Sequence, residues 1–451
     1  FRGGWRAILA NDRLIFALWI GCTALFYLSP KLSLSLAAAA LLLLLGVARP
    51  DVGVLLVPVV AALEFMPKVL HGSDVSLAEL LIGVCTAGWL LRCYWQGRLL
   101  LARGPFLPLA LGFLVVAFVS LFASAHPRYS LRDYRVVIAE PVLYFIVLTA
   151  LLSPQQVRRL VGVAIGGGVC VAGASLAAYA MHRGVVTTEG VTRLGGIYPS
   201  PDNLALYLDR PLAMAGGLAL WSSGRLRRLC LLACLPMALA IVLTFTKGAW
   251  VALIATAGLA GLVINRRLLL LAAAAVVVGV AGALLSQARR LTSIFSFGPG
   301  STSGRRLELW RASWNMGKDH PLQGIGLDNF LYQYPQYRLP GADSEPFLSH
   351  PHNLALDFWL SLGALGLLWL AWAVVTVVRV ARRCLGAADA EQQALALALS
   401  ASLVVGVLHG LVDNSYFLPD LAVLFWLAVG GLQLLAQRVA LQQVGEPEVD
   451  A

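Results

Sequence analysis

Apolar runs recur from one end of this chain to the other, separated mostly by short polar turns. Each is about 17 to 25 residues long, enough for a helix to cross a hydrocarbon core of about 30 Å. The pattern predicts spans at 14–29, 32–48, 52–67, 76–93, 105–124, 134–152, 160–182, 204–221, 228–246, 248–264, 268–286, 353–378, 391–411 and 417–436. The pair 32–48 and 52–67 also reads as a re-entrant hairpin, so the expectation is 12–14 transmembrane helices in an all-α polytopic membrane protein. The first run follows Arg2, Arg6 and Arg13 without a small-x-small cleavage site, and is expected as a retained helix rather than a signal peptide.

Composition agrees with the pattern. The chain is 59% hydrophobic and 13% charged, against about 25% charged residues in a soluble domain. Much of its net charge of +11 lies in short loops, so the excess is read as membrane orientation and not as a nucleic-acid surface. Arg49, Arg92, Arg98, Arg103, Arg158, Arg159, Arg225, Arg227, Arg228, Arg266, Arg267, Arg379, Arg382 and Arg383 fall on alternate loops. By the positive-inside rule those loops are cytoplasmic. Both termini are then cytoplasmic, and two unusual loops, 183–203 and 287–351, face outward. The expected organisation is an N-terminal group of helices over 1–182, a core over 183–380 carrying both outer loops, and C-terminal helices with a cytoplasmic tail over 381–451.

The outer loops hold the candidate chemistry. Ser349-His350-Pro351-His352-Asn353 stands at the mouth of the apolar run beginning at Leu354, where a cluster of polar groups at a membrane edge points to a site. Alone, a histidine at a helix start is more simply a residue bonded to a loop carbonyl. Upstream, Gly304-Arg305-Arg306-Leu307-Glu308-Leu309-Trp310-Arg311-Ala312-Ser313-Trp314 reads as an amphipathic helix with Leu307, Trp310 and Trp314 on one stripe. Such a helix can lie in the interface, its guanidinium groups near phosphates. Arg193, in the turn-rich Arg193–Asn203 loop, and Lys247, at the outer end of its span, fall on the same side as Arg306. Together these cations suit a lipid diphosphate; singly, each is equally an anchor snorkelling to headgroups.

Other groups carry weaker signals. Asp209, Arg210, Glu64, Glu79, Glu140 and Asp413 are charges within or beside apolar runs. His350 and His352 lack a third ligand at metal-like spacing, and Asp343, Glu345 and Asp357 do not supply one, so no metal and no cofactor are expected. The seven cysteines show no CxxC, and no GxSxG or Walker loop is present.

His352-Asn353, followed by Gly363-Ala364-Leu365-Gly366, resembles the signature of the O-antigen ligase/polymerase superfamily. The Gly304–Trp310 run, the His320-Pro321-Leu322-Gln323-Gly324-Ile325-Gly326 stretch ending at Phe330, and Thr246-Lys247-Gly248-Ala249-Trp250 are similar to further elements of that family, with lysine at 247 where arginine is usual. The resemblance implies a GT-C-like glycosyltransferase in the bacterial inner membrane, with its site facing the periplasm. It implies a glycan donor on undecaprenyl diphosphate and, as acceptor, lipid A-core in a ligase of lipopolysaccharide biosynthesis or the growing glycan in a polymerase. By position, His352 matches the catalytic histidine. Arg193, Lys247 and Arg306 match the donor-binding cations, with Arg305, Arg311, His350 and Asn353 as further substrate-binding candidates. The rival from another class is a polysaccharide or lipid transporter, which the lack of a clear internal repeat disfavours.

Overall fold

The computed structural model describes residues 11–70, 72–188, 191–263, 302–339 and 348–445. The expected span at 268–286, the early part of the 287–351 loop, and Asp343 and Glu345 lie outside the described residues. What is described is a multi-pass helical membrane protein. Among the described residues, eight helices are long and apolar enough to cross a membrane: Leu77–Gln96, Phe106–Ala123, Pro127–Leu151, Pro154–Ala180, Gly224–Thr244, Leu354–Leu385, Ala390–Gly410 and Pro419–Gln442. Three further helices follow predicted spans, Asp12–Leu28, Leu32–Ala48 and Lys247–Val263. Pro201–Trp221 does so as well, but carries the buried Asp209 and Arg210. The only sheet among the described residues is two two-stranded antiparallel ribbons, Lys68–Leu70 with Ser73–Val75 and Val185–Thr188 with Val191–Leu194.

The loop charges meet at one end of the bundle. Arg49 pairs with Asp12 at 2.7 Å and Asp51 at 2.8 Å, Arg159 with Asp12 at 2.5 Å, and Arg92 with Asp51 at 3.5 Å. Arg158 reaches Glu391 and Arg438 reaches Asp389 nearby in the fold. These are the loops that the alternation of arginines assigns to one side. At the opposite end, buried Lys68 donates to the carbonyls of Phe26 and Ser29.

The 52–67 span is not one continuous helix. The chain travels from the Arg49 end to the Lys68 end through two short helices, Pro50–Gly53 and Val57–Ala61, joined by turns. Pro58 cannot donate to the preceding turn, and Leu55, Leu56, Val59 and Leu63 instead make tight bonds to the residue three before. Such irregular backbone is tolerable at membrane depth only when enclosed by protein. Here Val54, Leu55, Leu56, Val57, Ala61 and Ala62 are all buried.

A second departure occurs at Gly363, where the long Leu354–Leu385 helix breaks with φ 68° and ψ −162°. The break frees the carbonyl of Leu360 and the N–H of Ala364, and the outer loop takes both. Ile325 N–H donates to Leu360 O at 2.7 Å, and Ala364 N–H donates to Leu322 O at 3.0 Å. A Cβ at Gly363 stands 2.0 Å from Leu322 O, and one at Gly324, also at positive φ, 2.3 Å from Leu360 O. The Gly363–Gly366 and Gly324–Gly326 elements are thus two halves of one backbone interlock.

Above the bundle, Leu309, Ala312 and Met316 of the Thr302–Asp319 helix join Ile325, Phe330, Tyr334 and Leu360 in a separate small core. The stripe of Leu307, Trp310 and Trp314 is not the face packed in this core; Leu307 and Trp314 are exposed, as an interfacial face would be. Buried Asn329 ties this layer to the bundle, donating to Ser124, Ser130 and the Leu327 carbonyl and accepting from His126 N–H.

Candidate functional site

The turn before the Leu354 helix is held in an uncommon shape. His352 adopts φ 49°, the left-handed region that costs a side-chain-bearing residue energy and clusters at functional sites. Its carbonyl accepts from Trp310 Nε1 at 3.3 Å. Asn353 caps the helix, accepting from Leu356 N–H and donating to Leu411 O, so both ends of its amide engage the protein.

The next contact joins this turn to a distant part of the chain. His352 Nδ1 lies 2.7 Å from Asp413 Oδ1, and His350 Nε2 lies 3.8 Å from the same oxygen. The two imidazoles stand 4.2 Å apart, edge to face. Arg306 Nη2 approaches the other carboxylate oxygen at 3.4 Å. Asp413 is 2% exposed and also accepts from Asn414 N–H. Burial alone opposes ionisation of this carboxyl, but His352, His350 and Arg306 outweigh it and hold the group well below its ordinary value.

Arg193 and the Lys247 turn meet beside this cluster. Arg193 is 6% exposed and donates from Nε to Thr244 O at 2.7 Å and from Nη2 to Asp202 Oδ1 at 2.7 Å and Thr246 Oγ1 at 3.2 Å. Thr246 also donates to Asp202. Phe245 takes a left-handed conformation to turn the chain, and Lys247 opens the next helix, half-buried. Gly248 packs against the His409 ring and Val412, leaving 3.0 Å to each from a Cβ position. That sets the Lys247 turn against the end of the helix leading to Asp413. Below, fully buried His409 bonds Asp209 at 2.7 Å, and Arg210 donates to Ser415 O at 2.5 Å, fixing the same turn.

Of the residues singled out from sequence, His350, His352 and Arg306 converge on one carboxylate. Arg193 lies at the Lys247 turn, with its guanidinium engaged by the protein. Arg305 is half-buried on the Arg306 helix, whereas Arg311 opens onto a separate shallow cleft with Trp314, Asn315 and Leu339. Glu79 and Glu140 both pair with Arg135. Sequence reasoning named Asp413 only as one charge among several and missed its partnership with His352. The available signal was its place: it follows the 391–411 run at the outer end, the side already assigned to His352.

His350, His352 and Asp413 also bring three ligand-type atoms within 4.8 Å of one another. The third comes from a residue remote in sequence, which is why spacing did not reveal the set. It is one ligand short of a closed tetrahedron, and Arg306 competes for the same carboxylate.

One end of this membrane-spanning helical bundle thus holds a carboxylate-bound histidine beside Arg306. Residues 232–371 match the family described as O-antigen ligase, and this match supports membership of the O-antigen ligase superfamily. The matched segment contains Lys247, Arg306, the Gly324–Gly363 interlock and His352, and ends before Asp413. Members of this family are in general glycosyl-transferring enzymes. No curated protein matches the chain at a significant level.

Proposed function

We propose that this protein is an O-antigen ligase. In this reading it transfers a glycan from undecaprenyl diphosphate to a sugar hydroxyl of lipid A-core at the periplasmic face of the bacterial inner membrane. The observation that carries the reading is His352 held by Asp413 with Arg306 on the carboxylate's other oxygen. A carboxylate on Nδ1 favours the tautomer with its proton there, leaving Nε2 as the basic nitrogen. Nε2 takes the proton of the acceptor hydroxyl as its oxygen attacks the anomeric carbon. The bond from that carbon to the diphosphate oxygen breaks, its electron pair leaving with the diphosphate. Arg306 and Lys247, with Arg193 bracing the Lys247 turn, balance the charge that develops on the leaving group. A single displacement inverts the anomeric centre, needs no nucleotide and runs without a metal. Lysine at 247 supplies charge but not a two-pronged phosphate contact.

The test is glycan transfer by the purified protein in lipid, with His352→Ala and Arg306→Ala as controls. Loss of transfer in both supports the mechanism, and wild-type rates in both remove it. Product formed only when lipid A-core is supplied indicates ligase, whereas ladders formed without it indicate a polymerase of the same superfamily.

A further inference from the structure

His350 and Asp413 both open into a chamber of about 300 Å³ that Arg306 and His352 do not line. Four more carboxylates line it, those of Glu64, Asp133, Asp328 and Asp357, against the single guanidinium of Arg132. Arg132 pairs with Asp133 and is largely exposed. The buried Asp357 is 5% exposed; Ser361 reaches its Oδ1, and its Oδ2 has no hydrogen-bond partner. A buried, unanswered acceptor costs free energy unless a ligand answers it. Phe65, Phe330 and Phe417 supply apolar faces to the same chamber.

These features select a class of ligand. With five carboxyl groups and a single guanidinium, the chamber offers a diphosphate too little positive charge, so an anionic donor head belongs with Arg306. Among the described residues, only His350, His352 and Asp413 cluster tightly enough to share a cation. The other carboxylates are spread around the walls, where they suit a ligand with several separated donors. Hydroxyls donating to carboxylates, with ring faces against phenylalanines, fit a saccharide, and the volume is at the small end of the roughly 300–1,000 Å³ typical of ligand sites.

Resting on the glycosyl-transfer reading above, we propose that this chamber is the acceptor subsite, and that it takes a neutral or amino-bearing sugar residue while turning away one that carries a carboxylate or phosphate. Asp413 then divides the site, its Oδ2 toward Arg306 and its Oδ1 toward His352 and His350.

The experiment is saturation-transfer NMR on the full chain in nanodiscs with methyl glycosides of hexoses, 2-amino hexoses and hexuronic acids. The proposal expects neutral and amino glycosides to bind, and uronides to bind at least tenfold more weakly. Raised salt should narrow that gap. Asp357→Asn, a near-isosteric change, and Asp328→Asn, in the outer loop, should each narrow it as well. Uronides binding as well as neutral glycosides, a gap unchanged in both variants, or no glycoside binding at all would overturn the proposal. His352→Ala and Arg306→Ala should keep the discrimination while losing transfer. Discrimination retained by a wild-type chain that transfers no lipid-linked glycan would sink the catalytic reading and leave the chamber standing.

Discussion

His352 and Asp413 are 61 residues apart in the chain, in turns beside different helices, and 2.7 Å apart through Nδ1 and Oδ1. Asp413→Asn keeps the shape and removes the charge that fixes the imidazole tautomer. A positioned base contributes about 10²–10⁴ in rate, and the variant is expected to lose a large part of that factor. Transfer rates in matched lipid check it; a wild-type rate would detach Asp413 from the chemistry.

The depressed Asp413 carboxyl also links stability to pH. Its folded value lies below the ordinary 3.8, so the unfolded chain binds the proton more readily and the stabilisation is full above about pH 4. It is lost as pH falls through the folded value. Melting curves from pH 7 downward should show the wild type losing its advantage over Asp413→Asn only in that acid range. Parallel curves throughout would contradict the coupling.

Gly363→Ala forces a Cβ into a left-handed break and against the Leu322 carbonyl. The backbone alone, at positive φ with an extended ψ, costs about 1–3 kcal/mol, and the close approach adds to it. A lowered thermal midpoint in detergent, together with faster proteolysis around residues 320–330, is the expected outcome.

Arg193→Lys keeps the charge but cannot bridge Thr244, Thr246 and Asp202 at once. Breaking a buried pair costs about 3–5 kcal/mol. With the Asp202 side chain about a third exposed, roughly 1–3 kcal/mol is expected. A double-mutant cycle with Asp202→Asn measures the coupling, and strict additivity would refute it.

The His350, His352 and Asp413 set predicts a metal response. Added zinc should occupy the base and stop transfer, with EDTA restoring it. Loss of activity on EDTA alone would mean that these three groups work with a metal.

Much of the bundle was legible because hydropathy and arginine placement follow from the solvent on either side of each helix. The broken 50–67 crossing was not, since its run looks like any other and only enclosure by neighbours permits it. At the site, His352 and Arg306 announced themselves as polar residues in an outer loop. Asp413 did not, because its meaning lies in a contact between two turns remote in sequence. The reason for the paired glycines was equally hidden: their spacing within one strip of sequence records a fit to another.

The interruption at Gly363 has a mechanical effect. It separates the short segment that begins just after His352 from the longer shaft that follows Gly363, and bolts that segment to the layer of Leu322 and Ile325. A tilt of the shaft with bilayer thickness is therefore expected to turn at this joint, leaving the His352 turn anchored to its neighbours.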